Sequence, residues 1–328
     1  MLRPITQRLL RSPPVLRSPR IIVSTPRSFS SSPSSPSSIP SSPSHSSNST
    51  NTISPSEIAH FSALSAHWWD PTGEFGLLHR MNPSRIQFMR DSLLRAEELP
   101  KVRWLEGKDV LDVGCGGGIF AESIARLGAT TLAIDASSSN IHTAQTHASI
   151  DPNLNLINSS IPRPDAIINS TPTTITTPTS SASLEYRHCA AEDLVREGKQ
   201  FDVVCAMEVI EHVEDPRGFL ECLMQLTKPG GRLLLSTISR TPLSKFLTIT
   251  MAESILRLVT PGTHTYSKYL KPSELRQFFE GEKGWFGMEQ RGCLYDPLAG
   301  KWRLLGQGEY GGLGEMGNYF AGIRKPLK

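Results

Sequence analysis

The 328-residue chain lacks three features that define common protein classes. Its five cysteines include no C-x-x-C pair, so neither a disulfide framework nor a zinc site is expected, and a reducing compartment is favoured. No apolar run approaches the roughly 20 residues that a membrane-spanning helix needs. Acidic residues are absent from positions 1–56, which contain six arginines.

The basic character of the chain is confined to these amino-terminal residues. The whole chain has 34 Lys+Arg and 31 Asp+Glu, and without the six arginines the remaining residues carry a net charge of −3. A basic face is the electrostatic signature of a nucleic-acid-binding protein. The composition of the body therefore gives no reason to expect a nucleic-acid partner.

Residues 1–29 are rich in arginine and hydroxyl side chains, a composition that predicts a mitochondrial transit peptide. The alternative is a disordered tail without a targeting role. The run Arg27-Ser28-Phe29-Ser30 resembles a matrix processing signal and predicts a mature start near Ser30. Residues 30–56 continue as Ser/Pro low complexity, which cannot bury enough apolar surface to fold, and are interpreted as a disordered linker.

Residues 57–328 show an alternation of helices and strands that predicts one α/β domain. Apolar residues from Ile58 to Trp68 recur at helical spacing, and Asn82-Pro83 predicts the start of a second helix. The predicted strands span 109–113, 131–134, 184–189, 201–206 and 232–237; the predicted helices between them span 119–127, 138–148 and 216–226. Crossover helices require parallel strands, so we expect a doubly wound, mainly parallel, Rossmann-like sheet. Segments 288–294 and 319–324 would add an antiparallel pair and bring it to seven strands.

The alternation is interrupted at residues 151–183, which are almost free of charge and dense in Ser, Thr, Pro and Asn. This composition packs poorly, and a long loop costs little additional closure entropy. The segment is therefore interpreted as a mobile, dispensable surface insertion.

The strongest local signal is the run Asp112-Val113-Gly114-Cys115-Gly116-Gly117-Gly118, where a predicted strand meets a helix. Glycines allow a sharp turn and close ligand approach, and the helix start offers unpaired N–H groups to an anion. A dinucleotide fingerprint needs a third glycine where Ile119 stands. The G-x-G-x-G pattern instead resembles the first motif of class I S-adenosylmethionine-dependent methyltransferases.

Asp135 lies 21 residues after Gly114, at the end of the second predicted strand. A carboxylate there can accept hydrogen bonds from both ribose hydroxyls of a nucleoside, although it could also cap a helix. Met207, at the end of the fourth strand, would lie over the same crevice or belong to the core.

Glu208, Glu211 and His212 follow the fourth strand at the edge where open α/β sheets bind ligands. On a helical turn their i, i+3, i+4 spacing directs all three to one side. They could hold a hard cation, or one could take a proton. A phenolic hydroxyl titrates near ~10, so it needs such assistance to act as a nucleophile at neutral pH.

Several segments resemble the ubiquinone biosynthesis O-methyltransferase family, mitochondrial type, from about Glu57 to the end of the chain. They are Trp68–Phe75, Leu78–Arg85, Asp112–Gly118, Glu208–Val213, Gly262–His264 and Lys271–Leu275. The resemblance implies methylation of polyprenylated hydroxybenzoate and demethylubiquinol intermediates at two pathway steps.

The resemblance also assigns functional residues and partners. It places cofactor contacts on Arg85, Gly114, Asp135 and Met207, and Mg²⁺ on Glu208, Glu211 and His212. Arg85 suits the methionyl carboxylate of S-adenosylmethionine, although it could be a surface charge. The resemblance further implies peripheral association with the matrix side of the mitochondrial inner membrane and membership of a multi-enzyme complex.

Residues 241–271 combine many apolar residues with Lys245, Glu253 and Arg257, an amphipathic pattern suited to a membrane interface. A lid packed on the protein's own core is the alternative. Three other functions are alternatives: methylation of another lipophilic phenol, a non-catalytic scaffold, and an NAD-dependent oxidoreductase. The scaffold has no chemical need for Asp135 beside Glu208, Glu211 and His212, and the oxidoreductase lacks the glycine at position 119.

Overall fold

The computed structural model describes residues 52–94, 101–159, 161, 182–249, 260, 263, 265–309 and 314–327. All of them belong to one compact unit, Asn48–Lys328. The predicted transit peptide, the linker up to residue 51, most of the predicted insertion and residues 250–259 of the amphipathic segment lie outside these residues.

Nine strands of the described residues form a single sheet in the order β3-β4-β2-β1-β5-β6-β9-β7-β8. The strands are β1 (Asp109–Val113), β2 (Thr130–Asp135), β3 (Leu156–Ile157), β4 (Ser183–His188), β5 (Phe201–Met207), β6 (Thr227–Ile238), β7 (Phe286–Asp296), β8 (Lys301–Leu304) and β9 (Asn318–Arg324).

Eight α-helices and three 3₁₀ turns connect these strands within the described residues. The helices are α1 (Pro55–Ala63), α2 (Gly76–Leu93), α3 (Ile119–Arg126), α4 (Ser138–Ile150), α5 (Ala191–Arg196), α6 (Pro216–Leu226), α7 (Pro242–Lys245) and α8 (Pro272–Gly281). The 3₁₀ turns are Ser65–His67, Ile210–His212 and Tyr266–Lys268. In this part of the chain, no helix has the length and apolar character to cross a membrane.

The sheet is mainly parallel, as predicted, and its antiparallel end is also confirmed. β3, β4, β2, β1, β5 and β6 pair in parallel, whereas β9 pairs antiparallel with both β6 and β7. The short edge strands β3 and β8 add to the seven predicted strands. One apolar core packs α5, α6 and α8 on the sheet, and another packs α2 and α3, so helices cover both faces.

The predicted start of the second helix at Asn82-Pro83 is wrong. α2 begins at Gly76, and Pro83 lies inside it. An internal proline removes one backbone donor, but Phe88 and Met89 on the buried face of α2 are fully buried in the core, and this packing stabilises the helix. The Asn82 amide donates to Ser123 Oγ at 2.9 Å instead of capping a helix. Because α2 begins at Gly76, Arg85 lies in its third turn.

Two predicted boundaries also differ from the structure. Leu154 is only 1% exposed, and β3 pairs with β4, so residues before 158 belong to the fold rather than to a surface insertion. Order begins before Glu57, because the Thr52 backbone N–H donates to Glu192 Oε1 at 2.9 Å. Composition alone missed these residues because the stretches of chain around them are polar. Each of them is nevertheless held in the fold by partners that are distant in the sequence.

Candidate active site

The glycine-rich loop turns sharply between β1 and α3. Gly114, Gly116 and Gly118 have φ values of +70°, +53° and +88°, a region that side chains disfavour. A Cβ atom at Gly114 would lie 2.7 Å from Val209 Cγ2, so a larger residue would collide with the loop after β5. The loop thus needs glycine both for its backbone angles and for its close contacts.

Trp68 and Trp69 pack against this loop. A Cβ atom at Gly116 would lie 2.3 Å from the Trp68 ring, and the Trp68 indole N–H donates to Asn140 Oδ1 at 3.0 Å. The Trp69 indole N–H donates to the Gly117 carbonyl at 2.8 Å. The sequence resemblance included both tryptophans, but the sequence did not predict this contact.

Asp135 ends β2 beside the loop. Its Oδ2 accepts from the Gly116 backbone N–H at 2.9 Å, and its Oδ1 accepts from the Ser137 N–H at 2.8 Å and the Asn140 amide at 3.2 Å. Burial raises its pKa, although the Ser137 and Gly116 hydrogen bonds oppose the rise. The carboxylate fixes the loop and also supports the start of α4. Three of its roughly four acceptor positions are used, which leaves one for a ligand hydroxyl.

Arg85 is only 4% exposed, so it is not a surface helix charge. Its Nε atom is buried and has no hydrogen-bond partner among the described residues, and burial lowers its pKa. Asp112 Oδ2 is likewise buried without a partner there, and burial raises the pKa of Asp112 to about 7. A buried cation and a buried carboxyl are available for the carboxylate and ammonium of an amino-acid ligand.

Met207 and Glu208 stand at the end of β5. Met207 is buried in a core cluster and also lines the cavity, so both interpretations of this residue hold. Glu208 has φ +58°, a left-handed conformation that is strained for a residue with a side chain. Its Oε2 accepts from the Asn318 amide at 3.2 Å, and its Oε1 is buried without a partner among the described residues.

Glu211 is buried, and its Oε2 accepts from the Thr237 hydroxyl at 2.9 Å. Burial, reinforced by the charge of Glu208, raises the pKa of Glu211 to about 7. A carboxyl group that titrates near neutral pH can exchange a proton with a reacting group.

His212 is held by a residue that the sequence did not single out. Its Nδ1 lies 3.0 Å from Glu57 Oε2, and the other Glu57 oxygen accepts from Lys268 at 3.0 Å. Burial opposes a charged imidazole, but the Glu57 hydrogen bond and the charge of Glu211 raise the pKa of His212 overall. Burial likewise opposes a charged Glu57, but hydrogen bonds and charges of His212 and Lys268 lower its pKa to about 2.

The predicted helical turn that places three side chains on one side is wrong. Within residues 208–212, only Ile210–His212 is helical, as a 3₁₀ turn. Glu208 precedes this turn in the left-handed conformation. Each of the three side chains bonds a different protein partner: Glu208 bonds Asn318, Glu211 bonds Thr237, and His212 bonds Glu57. Across the described ranges, no group of three or more His, Cys, Asp or Glu side chains is placed to hold a metal ion.

All seven predicted site residues nevertheless line one cavity of about 690 Å³, within the size range of small-molecule sites. They are Arg85, Gly114, Asp135, Met207, Glu208, Glu211 and His212. Glu57, Asp112 and Asn318 line the same cavity and were not predicted as site residues. Asp112 could have been found as the polar residue that opens the glycine run, whereas Glu57 and Asn318 reach the site only through the fold.

Comparisons with known proteins place this geometry among methyltransferases. Residues 77–282 match a family model described as a methyltransferase domain. The chain is 42% identical over 286 residues to the mitochondrial ubiquinone biosynthesis O-methyltransferase of Schizosaccharomyces pombe, covering 86% of this chain and 90% of that protein. It is 37% identical to the ubiquinone biosynthesis O-methyltransferase of Dinoroseobacter shibae, covering 78% and 92%.

A solved methyltransferase structure also resembles the fold of this chain. A SAM-dependent methyltransferase from Thermotoga maritima superposes with a TM-score of 0.50 at 14% identity, covering 82% of this chain and 99% of that structure. At this identity the likeness concerns the class I methyltransferase fold alone.

Proposed function

Because the chain belongs to the ubiquinone biosynthesis O-methyltransferase family, we propose that it transfers a methyl group from S-adenosylmethionine to phenolic oxygens of polyprenylated hydroxybenzoate and demethylubiquinol intermediates. The observation that carries this proposal is the single cavity that contains both the glycine loop with Asp135 and the polar residues Glu208, Glu211 and His212. Cofactor and acceptor can therefore meet in one cavity.

The cofactor half of the cavity fits S-adenosylmethionine. When bound, the cofactor supplies a methyl group activated by a sulfonium. Arg85 provides a buried cation for its carboxylate, and the unpartnered Arg85 Nε supports this role. Gly114 lets the backbone approach, and Asp135 retains an acceptor position for a ribose hydroxyl. Met207 packs at the end of β5 beside the reacting groups.

The reaction half assists deprotonation and alignment. Glu57 accepts the Nδ1 proton of His212, which leaves Nε2 as the acceptor for a phenolic proton. Glu211 lies beside it with a pKa of about 7, so it can share the proton. The chain aligns the oxygen with the methyl group by holding both ligands against rigid strand ends.

Mg²⁺ at Glu208, Glu211 and His212 is proposed from the family resemblance alone, because no three such side chains of the described residues are placed to hold a metal ion as they stand. Two carboxylates offer the oxygen ligands that Mg²⁺ prefers, and Glu208 Oε1 has no hydrogen-bond partner among the described residues. Such an ion would stabilise the charge of a phenolate. Titration of the apoprotein with MgCl₂ should raise its thermal midpoint, and Glu208→Gln should abolish that rise; equal midpoints with and without Mg²⁺ would contradict the proposal.

One assay tests the reaction. Mature protein is incubated with radiolabelled S-adenosylmethionine and a short-tailed catechol, with and without EDTA. Labelled methyl ether should form. Absence of product in both reactions would refute the proposed activity. Turnover unaffected by EDTA would refute only the proposed role of Mg²⁺. A faster reaction with an unrelated lipophilic phenol would reassign the substrate.

The location is proposed as the matrix side of the mitochondrial inner membrane. The relative from S. pombe is named mitochondrial, and residues 1–29 have the composition of a transit peptide. Amino-terminal sequencing of protein recovered from mitochondria should begin near Ser30, and an intact Met1 would contradict import with cleavage. Membership of a multi-enzyme complex follows from the family resemblance; co-purification of native protein with other enzymes of the pathway would test it.

Membrane contact is proposed through the amphipathic segment 241–271. Around α7, Leu243, Phe246 and Leu247 are between 41% and 51% exposed, next to the cation Lys245. Leu247 also lines the cavity, so the described part of the segment would lie between a membrane and the bound substrate. Flotation with vesicles of phosphatidylcholine and an anionic phospholipid should weaken in Lys245→Glu. Lys199→Glu, an exposed charge before β5 at the opposite edge of the sheet, is the matched control.

A further inference from the structure

An apolar trough forms one part of the active-site cavity. Its walls are α2 on one side and the hairpin of β7 and β8 on the other, through the lining residues Leu77, Leu78, Met81, Leu294, Tyr295 and Trp302. We propose that this trough holds the isoprenoid tail of the phenolic substrate. The inference rests on the proposed function and adds to it the subsite that selects a tailed substrate.

The sheet topology places the trough away from the cofactor. β7 and β6 are both antiparallel to β9, so the carboxyl end of β7 lies at the same edge as the ends of β5 and β6. The glycine loop and Asp135 follow β1 and β2, whereas β7 and β8 lie beyond β5 and β6 in the strand order. The reactive residues at the end of β5 thus stand between the donor site and the trough.

The two aromatic rings of the trough present carbon rather than polar atoms. The Trp302 indole N–H donates to the Leu77 carbonyl at 3.0 Å, and the Tyr295 hydroxyl accepts from Arg80 at 2.9 Å. The ring centroids are 5.3 Å apart. Because the Trp302 N–H and the Tyr295 oxygen bond to α2, the two ring faces offer hydrocarbon to a ligand, which favours an isoprenoid chain.

The trough opens to the surface at the tip of the hairpin. Pro297 lines the cavity and is exposed, and the neighbouring Leu298 is 99% exposed. A tail longer than the cavity can therefore continue past Pro297 and Leu298 at the tip of the hairpin. This continuity with the reacting groups distinguishes the trough from an isolated apolar patch.

Photocrosslinking tests the position of the tail directly. A farnesylated catechol with a diazirine at the end of its tail is irradiated with the mature protein, and labelled peptides are mapped by mass spectrometry. Label on peptides of α2 and the β7–β8 hairpin supports the trough. Label on α1, whose Ile58 and Phe61 line the other apolar wall of the cavity, overturns it. The readout needs no methyl transfer, so it remains decisive even if the proposed reaction fails.

Kinetics tests the same subsite by a second route. Leu294→Gln should raise KM for the farnesylated catechol about tenfold, leave its kcat unchanged and leave the tail-less catechol unaffected, because only binding energy shared by ground and transition states is lost. Leu327→Gln, an exposed position outside the cavity lining, is the matched control. Leu77→Gln repeats the test from α2 if Leu294→Gln fails to fold.

The outcomes separate the two claims. Equal effects on both substrates, or no effect on the tailed one, would overturn the trough. A wild-type protein that methylates neither catechol would refute the proposed function, and the crosslinked peptides would still decide where the tail binds.

Discussion

Glu57 Oε2 lies 3.0 Å from His212 Nδ1, a contact that joins residues 155 positions apart in the chain. The first helix of the described fold thereby supplies the partner that fixes the imidazole after β5. Lys268, from a third segment, bonds the other Glu57 oxygen at 3.0 Å. The orientation of a candidate base thus depends on three segments that only the folded chain brings together.

Glu57→Gln should lower kcat by about tenfold or more, because His212 loses the negatively charged, acceptor-only partner that fixes its tautomer. The pH profile should also change. If neutral His212 accepts the proton, activity rises with pH through its pKa, which Glu57 holds up. Removing that charge weakens the effects that oppose burial and leaves only Glu211 and Glu208 to raise the pKa of His212, so this pKa should fall and the rising limb should move to lower pH. The kcat is measured against pH, with Lys268→Gln as the control that retains the Glu57 contact; an unmoved limb would exclude His212 as the base.

Asp135→Ala and Glu208→Ala should affect different steps. Asp135 fixes the glycine loop through Gly116, so its loss should raise the Kd for S-adenosylmethionine about tenfold or more. Glu208 bonds Asn318 on the acceptor side, so its loss should leave that Kd within about threefold and lower kcat. Calorimetry and steady-state kinetics measure the two constants. Similar losses of cofactor affinity in both variants would contradict this division.

Local sequence rules predicted the strands and the helix around the glycine loop well. β1 spans Asp109–Val113 as predicted, and α3 begins at the predicted Ile119, because turn glycines and apolar runs act over a few residues. Asp135 falls at the end of β2 for the same reason.

The reaction half could be predicted only in part. Glu208 adopts a left-handed conformation that no residue preference indicates, and the tertiary structure that includes its Asn318 contact imposes it. Pro83 suggested a helix start, but packing of α2 on the core outweighed its local preference. The sequence marks Glu57 only as the first residue of the predicted domain, because its contact with His212 joins distant segments.

Asp112→Asn should stabilise the apoprotein at alkaline pH and weaken cofactor binding. Burial raises the Asp112 pKa from 3.8 to about 7, so the folded state binds a proton that the unfolded state has lost between these values. The contribution of Asp112 to the stability of the folded state is therefore fully present below about pH 4. As the pH rises from about 4 to about 7, the free energy of unfolding falls by at most about 4 kcal/mol. Asparagine cannot ionise, so its advantage should grow with pH.

The check is the thermal midpoint of wild type and Asp112→Asn at pH 5 and pH 8. The difference between the two proteins should be larger at pH 8. A constant difference would show that Asp112 does not titrate in this range. Saturating S-adenosylmethionine should reduce the pH dependence in wild type, because a bound ammonium group would favour the ionised carboxylate.

Gly118→Ala should destabilise the fold by about 2–4 kcal/mol, and Tyr186→Phe should recover part of that loss. Gly118 has φ +88°, and a Cβ atom there would lie 2.2 Å from the Tyr186 hydroxyl oxygen. That buried hydroxyl has no hydrogen-bond partner among the described residues, so its removal alone should cost little. The double variant keeps the backbone strain but loses the closest collision, which predicts a favourable coupling of about 1–2 kcal/mol.

Urea unfolding of the four proteins in this cycle measures the coupling. Gly107→Ala is the matched control, because Gly107 has φ +79° but no atom within 4 Å of its added Cβ. It should lose only the strain contribution, about 1 kcal/mol, and Tyr186→Phe should not rescue it. If the losses from Gly118→Ala and Tyr186→Phe simply add, the tyrosine does not limit this position, and the need for glycine at the start of α3 lies in its backbone angle alone.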